Sequence, residues 1–317
     1  MEKDSTHLSF SAQVKEELAC QVPQARHCQL AELVAILLFD GRVVQDAGRE
    51  KLVIRAENEG TRRKCFTILT KAFNIITEKE TIQCGSQSVT VTGLESVRRV
   101  LQAVKQWDGE NGYLEREQAD SRLLAETCCR RAFLRGCFLA AGSISSPDRF
   151  YHFEIDCGTE GLAEQIRELF SQFEIDAKII IRKKYYVVYI KEGDQISDAL
   201  NLMEASKAVL EFENVRVLKN VRNRINRSVN CETANINKTA VAANGQIAAI
   251  EYLRDHIGLG MLPEGLEEAA RARLEWPEAS LAELGESMDP PVGKSGMNHR
   301  LRKLKALADQ YRSKEED

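Results

Sequence analysis

Two segments of the chain carry the same order of apolar and small residues. Residues 31–43 (AELVAILLFDGRV) and 130–145 (RRAFLRGCFLAAGSIS) show helical spacing, and in each the helix ends at a glycine followed by extended residues. Ala132, Gly136 and Ala140 recur every fourth position, so they lie on one helical face. A face of small residues lets a second backbone approach closely. We therefore predict that the two helices pack against each other.

An offset of 101 residues superimposes these segments, aligning Asp40 with Ala141 and Gly41 with Gly142. The offset continues to pair small or apolar residues: Ala31 with Ala132, Leu33 with Leu134, Ala35 with Gly136, Leu52 with Phe153, Ile54 with Ile155, and Ile68 with Leu169. The alternation at 52–54 is typical of a half-buried strand. These patterns predict a duplicated α+β unit, with repeats at about 28–95 and 129–210 in a domain spanning 1–213.

The remaining part, 239–317, is predicted to be all-α. VAANGQIAAIEYLRDHIG and LPEGLEEAARARLEWPEAS indicate two helices separated by glycines, with Pro263 near the start of the second. Ser280 followed by Glu283 is a capping box and predicts another helix start. Ser295 is expected to cap the last helix. The core-facing residues of that helix advance by four, three, four and three positions: Met297, Leu301, Leu304, Ala308 and Tyr311.

The last helix is expected to present a basic face to solvent. Its remaining positions are Asn298, His299, Arg300, Arg302, Lys303 and Lys305. A short helix, a tight connection and a basic second helix are typical of a helix-turn-helix. We therefore predict a DNA-binding module at about Ser280 to Ala308, with double-stranded DNA as the partner.

Residue chemistry assigns roles within this module. Ser295 and the free amides of the first helical turn can take a phosphate. Asn298 suits adenine, and Arg300 or Arg302 suits guanine. These residues lie near the end of the helix that enters a major groove in such modules.

Four more side chains complete the set of DNA-binding candidates. Lys303 and Lys305 lie farther along the helix, toward the phosphates, and Lys294 stands at its start. His299 has two interpretations, DNA contact and packing or capping support, of which the second is favoured.

A basic linker is predicted at 214–238. It carries Glu232 as its only acid and many asparagines, which are unfavourable in helix interiors. Arg222, Arg224 and Arg227 are candidate DNA contacts, and some of them are expected to touch the repeat domain instead. Two interpretations stay open: a segment that binds phosphate or the neighbouring domain, and a polar hinge whose residues cap short helices.

Composition describes a soluble globular protein of 317 residues, with 43% hydrophobic and 29% charged residues and a net charge of −4. No apolar run is long enough for a membrane span, and the N-terminus lacks the pattern of a secretory signal. Nine cysteines are present, none in a CxxC pair, and the adjacent Cys128 and Cys129 suit neither zinc spacing nor a disulfide framework. We expect reduced thiols, a cytoplasmic and nucleoid-associated protein, no metal and no cofactor.

The duplicated unit resembles the LAGLIDADG homing-endonuclease fold. The resemblance implies that an acid before each helix-ending glycine binds divalent metal, and that both acids are needed for cleavage. Here Asp40 stands in the first copy and Ala141 in the second, and Ala140, Gly142 and Ser143 supply no substitute. The pair is degenerate, so the resemblance implies a scaffold without nuclease activity.

Five segments together resemble the WhiA family along the whole chain: SFSAQVKEELA, RRAFLRGCFLAAGSIS, NRINRSVNCETANINKT, ASLAELG and GKSGMNHRLRKL. The resemblance implies a degenerate LAGLIDADG domain followed by a helix-turn-helix similar to sigma-factor region 4. It also implies a non-enzymatic, DNA-binding transcriptional regulator involved in cell division, chromosome segregation or sporulation.

Two alternatives stay open. The first is a scaffold that binds a protein partner through the LAGLIDADG-like domain, with DNA contact secondary. The second is a residual metal-dependent nuclease, against which Ala141 argues.

Overall fold

A computed structural model describes residues 8–46, 49–75, 81–109 and 112–315. Backbone contacts divide the chain into two units between Lys219 and Asn220. The first unit is α+β and the second is all-α, as predicted.

The first repeat follows a short leading helix, α1 (Phe10–Cys20). Its elements are α2 (Arg26–Asp40), β1 (Gly41–Asp46), β2 (Arg49–Arg55), α3 (Glu59–Phe73), β3 (Ile82–Cys84), β4 (Ser88–Thr92) and α4 (Leu94–Ala103). The four strands form an antiparallel sheet in the order β1-β2-β4-β3. Leu52, Ile54, Val89 and Val91 face inward from this sheet and are buried.

The second repeat follows a small hairpin, β5 (Trp107–Asp108) with β6 (Gly112–Tyr113), and a 3-10 turn at Ser121–Leu124. Its elements are α5 (Thr127–Ala141), β7 (Gly142–Ile144), β8 (Phe153–Cys157), α6 (Glu160–Ser171), β9 (Lys178–Arg182), β10 (Tyr185–Ile190) and α7 (Gly193–Leu202). The sheet order, β7-β8-β10-β9, repeats that of the first sheet.

The predicted offset of 101 residues is confirmed in the element boundaries. Both ends of α2 map onto the ends of α5, and the start of α3 maps onto the start of α6. The caps obey the same offset, because Asn58 caps α3 and Thr159 caps α6 through side-chain oxygens. The duplication therefore extends to the local signals that start each helix.

Helices α2 and α5 pack through the predicted small-residue face. A Cβ atom placed on Gly136 would lie 2.6 Å from the carbonyl oxygen of Glu32 and 2.7 Å from the Cβ of Ala35. Both distances are shorter than a normal contact, so only glycine fits at this crossing. Ala35 is the residue that the offset pairs with Gly136, and the repeats therefore meet at equivalent positions.

A buried charge cluster lies beside this crossing. Glu32 is fully buried and pairs with Lys64 of α3 and with Arg135 of α5, whose Nε is 3.1 Å from Glu32 Oε1. Arg135 also donates to Glu204 Oε2 at 2.7 Å, and Lys64 donates to the carbonyl of Leu18 at 2.7 Å. Each buried charge thus has a partner, as the high desolvation free energy of ions requires.

The second unit is helical throughout its described residues. Its elements are the larger part of α8 (Ser206–His256), a 3-10 turn (Leu259–Met261), α9 (Glu264–Glu275), α10 (Leu281–Glu286) and α11 (Lys294–Glu315). Its separate core contains residues from all four helices, including Ile250, Leu253, Ala269, Leu284 and Leu301.

The linker prediction needs correction. Residues 214–238 lie entirely within α8, so they do not form a series of short helices, and the units divide after Lys219 rather than after residue 213. The sequence between Ser206 and His256 contains no proline and a single glycine, Gly245. Asparagine disfavours a helix by only about 0.7 kcal/mol relative to alanine, too little to end the helix without a breaker.

The helix crossing yields a stability prediction. Gly136→Ala should destabilise the protein by about 1–3 kcal/mol, because the new methyl group overlaps Glu32 and Ala35. Gly245→Ala is the matched control, since a Cβ there meets nothing within 4 Å and alanine should add up to about 1 kcal/mol of helix stability. Thermal unfolding of both variants measures the contrast. A Gly136→Ala protein as stable as wild type would contradict the close approach.

Candidate nucleic-acid interface

A tight backbone turn sets the position of α10 against α11. The amide of Val292 donates to the carbonyl of Gly285 at 2.8 Å, and a Cβ on Gly285 would lie 2.0 Å from the Val292 carbonyl oxygen. The capping box is confirmed at the other end of α10. There the Glu283 amide donates to Ser280 Oγ, and the Ser280 amide donates to Glu283 Oε2.

A buried arginine holds the segment that enters α10. Arg273 of α9 is 2% exposed, and its guanidinium donates to the carbonyls of Pro277 and Ala279. Burial lowers the pKa of Arg273 from its ordinary value. These bonds fix the residues just before Ser280, and so the start of α10.

The apolar stripe of α11 anchors the helix in the core of the second unit. Met297, Leu301, Leu304 and Ala308 are buried, which confirms four of the five predicted core positions. Tyr311 is 40% exposed, so its assignment to the core was wrong. It lies in the last part of α11, beyond the segment packed on α9 and α10.

One groove runs along the exposed side of α11, and we call it the α11 groove. The residues that line it share one stripe of the helix: Ser295, Asn298, His299, Arg302, Lys303 and Ala306. Two side chains in this set are cationic, one is an amide, and none is acidic. The groove therefore presents donors suited both to phosphate oxygens and to base edges.

Three predicted site residues behave differently from expectation. Ser295 lies inside the first turn rather than at the cap, because α11 begins at Lys294. His299 is exposed, so it does not pack in the core. Arg300 is half-buried and turns toward α9, where its Nη1 is 3.7 Å from Glu268 Oε2. Arg302 alone of the two arginines proposed for guanine lines the groove.

The other cationic candidates are at the surface. Lys294 and Lys305 are exposed and do not line the groove, whereas Lys303 does. Arg222, Arg224 and Arg227 are exposed along α8.

The two sheets of the first unit differ in the charge of the face that points away from the core. On that face the first sheet carries the cations Arg42, Arg49, Lys51 and Arg55 and the acid Asp46, which pairs with Lys51. The second sheet carries the acids Glu154 and Asp156, which pair with Arg182. Of the two, the first sheet has the excess of cations that suits a phosphate backbone.

Asp40, the acid to which the resemblance assigns metal binding, lies where α2 ends. Burial and the negative charge of Glu57 raise the pKa of Asp40 to about 6. Lys15 opposes this shift, and burial lowers its own pKa. Glu57 is not among the predicted site residues, because Glu57 follows β2 and does not stand next to the helix-ending glycine. The offset position Ala141 supplies no second carboxylate.

The shifted carboxyl gives a pH-dependent prediction. Asp40 binds its proton more tightly in the folded protein than in the unfolded chain, so its ionisation lowers stability as pH rises from about 4 through 6. Asp40→Asn should therefore stabilise the protein at pH 7.5 by on the order of 1–3 kcal/mol, and this gain should vanish near pH 4. Urea unfolding at both pH values measures it.

Asp46→Asn is the control, because Lys51 holds the pKa of that exposed carboxyl below its ordinary value. Removing Asp46 should not stabilise the protein at pH 7.5. An equal gain from both substitutions would show that the effect does not come from the environment of Asp40.

Side chains able to hold a metal meet at the opposite ends of the paired helices. Among the described residues, one group of histidine, cysteine and acidic side chains has ligand atoms close enough to share an ion: His27, Cys28, Cys128 and Cys129. Motif spacing does not reveal this group, because its donors come from two helices. Extending the offset to the helix starts would have found it, since 27 maps to 128 and 28 to 129.

Within the described residues, no helix has the length and apolar character needed to cross a membrane.

Comparison with known proteins gives the same division of the chain. The family model of the WhiA LAGLIDADG-like domain matches residues 130–222, and that of the WhiA C-terminal HTH domain matches residues 225–308. The fold prediction of a LAGLIDADG-like domain followed by a helix-turn-helix is thereby confirmed. A crystal structure of full-length DUF199/WhiA from Thermatoga maritima has a similar fold, with a TM-score of 0.53 and 24% identity, covering 96% of this chain and 99% of that one.

Two curated relatives extend the match along nearly the full sequence. A probable cell division protein WhiA of Lachnoclostridium phytofermentans is 49% identical over 312 residues, covering 96% of this chain and 100% of the relative. Another of that name, from Desulforamulus reducens, is 44% identical over 317 residues, covering 98% of each. With both domains matched in the order that the fold shows, this chain belongs to the WhiA family.

Proposed function

We propose that this protein is a DNA-binding transcriptional regulator whose α11 reads the major groove. The observation that carries the proposal is the α11 groove, which collects Asn298, Arg302 and Lys303 on one exposed stripe. An amide and a guanidinium on adjacent turns match the edges of adenine and guanine. The buried stripe on the other side of α11 fixes the orientation of these side chains.

The cellular role is proposed from the relatives. Both curated relatives bear the name probable cell division protein WhiA, which supports a role in cell division for this chain. We extend this to control of genes for division, chromosome segregation or sporulation, exerted at the nucleoid in the cytoplasm. A map of bound DNA across the genome, with a protein lacking α11 as control, tests that extension.

The charged face of the first sheet supports an additional DNA contact. Arg42, Arg49 and Arg55 are exposed there, and phosphate contacts add affinity without sequence preference. In this proposal the sheet and the exposed arginines of α8 assist binding, while α11 sets the sequence preference.

Substitutions in α11 test the assignment of readers. Asn298→Ala and Arg302→Ala should each weaken specific binding by about 1–3 kcal/mol and relax the preference at one base pair. Lys303→Ala should weaken binding to all sequences alike and lower the salt slope by about 1. Affinity for specific and random duplexes, measured against salt concentration, separates the two classes.

Arg300→Ala is the matched control, because Arg300 lies two positions before Arg302 but turns toward Glu268. It should leave base preference unchanged. If Asn298, Arg302 and Lys303 can all be replaced without loss of specific binding, α11 is not the reader.

We also propose that the protein is not an enzyme. Asp40 has no partner carboxylate at position 141, so one of the two acids that the resemblance requires for metal-dependent cleavage is missing. Purified protein with Mg²⁺ or Mn²⁺ should leave duplex DNA intact, and Ala141→Asp should not create cleavage. Specific cleavage that disappears in Asp40→Ala would overturn this assignment.

A second function, protein binding by the LAGLIDADG-like domain, is favoured by one observation. Ile180 and Tyr185 are more than half exposed on the outer face of the second sheet, where the acids already pair with Arg182. This face suits a protein partner better than DNA. Ile180→Asp should then impair the cellular function while leaving DNA affinity unchanged.

A further inference from the structure

Four soft metal ligands meet at the N-terminal ends of the paired helices, and we call them the histidine–cysteine cluster. His27 and Cys28 are the second and third residues of α2, and Cys128 and Cys129 are the second and third residues of α5. The same two positions of both repeats therefore face each other across the helix pair.

The distances within the cluster match those between ligands on one tetrahedral ion. The Nδ1 atom of His27 is 3.1 Å from Cys129 Sγ, 3.4 Å from Cys28 Sγ and 3.9 Å from Cys128 Sγ. All four ligand atoms lie within 4.8 Å of one another. Zinc bonds of about 2.3 Å to sulfur and 2.0–2.1 Å to nitrogen place tetrahedral ligands about 3.6–3.8 Å apart. A small adjustment of side chains would complete the geometry.

We propose that the histidine–cysteine cluster is a structural site for one Zn²⁺ ion. A set of three thiolates and one imidazole is a complete ligand shell for structural zinc, and thiolates select Zn²⁺ over hard cations such as Mg²⁺. The ion would join α2 to α5, and so the first repeat to the second, at the ends opposite to Asp40 and Ala141.

The surroundings favour the charge of such a site. Three thiolates, a neutral imidazole and Zn²⁺ sum to −1, and the positive N-terminal ends of two helices converge on that charge. The N-cap residues Ala25 and Glu126 make no side-chain capping bond, so the helix ends have no competing side-chain acceptor at those positions. Arg131 and Arg135 line the same cleft as the cluster, together with Glu204, with which both arginines pair.

The cluster is both anchored and accessible. Cys28 and Cys129 are buried, whereas His27 and Cys128 are exposed to the cleft. Zn²⁺ binds thiolates, so its entry would displace the protons of the three thiols. The cleft gives the ion a path, and the buried pair gives it two ligands held by the core.

The test uses the full-length protein purified with a reductant and then stripped with a chelator. Titration with Zn²⁺ should saturate at one equivalent and raise the melting temperature. Co²⁺ should give the strong visible bands of tetrahedral coordination together with a thiolate-to-cobalt charge-transfer band. Removal of the ion by chelator should lower the melting temperature again.

Two variants replace exposed ligands, which leaves the core packing in place. Cys128→Ser and His27→Asn should each weaken Zn²⁺ binding by more than about 100-fold, beyond the roughly 10–100-fold effect of losing an outer-shell partner. Cys84→Ser is the matched control, since Cys84 is an exposed cysteine on β3 outside the cluster. It should bind Zn²⁺ as the wild-type protein does.

Several results would overturn the proposal. They are failure to bind an equivalent of Zn²⁺, retention of binding in both ligand variants, an iron–sulfur chromophore in the purified protein, and a disulfide within the cluster that forms in preference to metal binding. Because these readouts are metal content, spectra and melting temperature, they stand apart from the DNA-binding experiments.

Discussion

The close approach of α2 and α5 is the constraint on which the first unit depends. Gly136 leaves no room for a side chain against the backbone of Glu32, so the two repeats are locked in register at this point. In this register Arg135 pairs with Glu32, and Lys64 of α3 pairs with the same carboxylate. It also fixes what meets at each end of the pair: the histidine–cysteine cluster at the helix starts, and Asp40 with its degenerate counterpart at the helix ends.

The duplicated scaffold has diverged in chemistry while keeping its geometry. The sheets have the same strand order, yet the outer face of one is rich in arginine and the other places acids beside Arg182. The loss of an acid at Ala141 follows the same pattern, because alanine preserves the helix end but not the ligand. The changes on the outer faces of the sheets cost little stability, since residues on exposed faces contribute little to packing.

Packing in the second unit fixes which face of α11 is exposed. Its short α10 is held by the capping box at its start and by the backbone contact of Gly285 with Val292 at its end. Four apolar residues of α11 then bury one stripe and leave the groove on the other side. Base recognition requires that a few side chains have a defined orientation. The proposed function therefore rests on this unit.

The sequence by itself determined the repeats, the all-α second unit, the capping box and most of the buried stripe of α11, because helical and strand periodicities are local properties. A continuous α8 is also a local property, because the segment contains no proline and asparagine disfavours a helix only weakly. The meeting of His27 and Cys28 with Cys128 and Cys129 follows from the offset of 101 residues, because equivalent positions of α2 and α5 pack together. Only the tertiary structure decided that Arg300 turns to Glu268 and that the charge of Glu57 reaches Asp40. Each of these depends on which distant segment a side chain faces, and residue spacing within one segment carries no information about that.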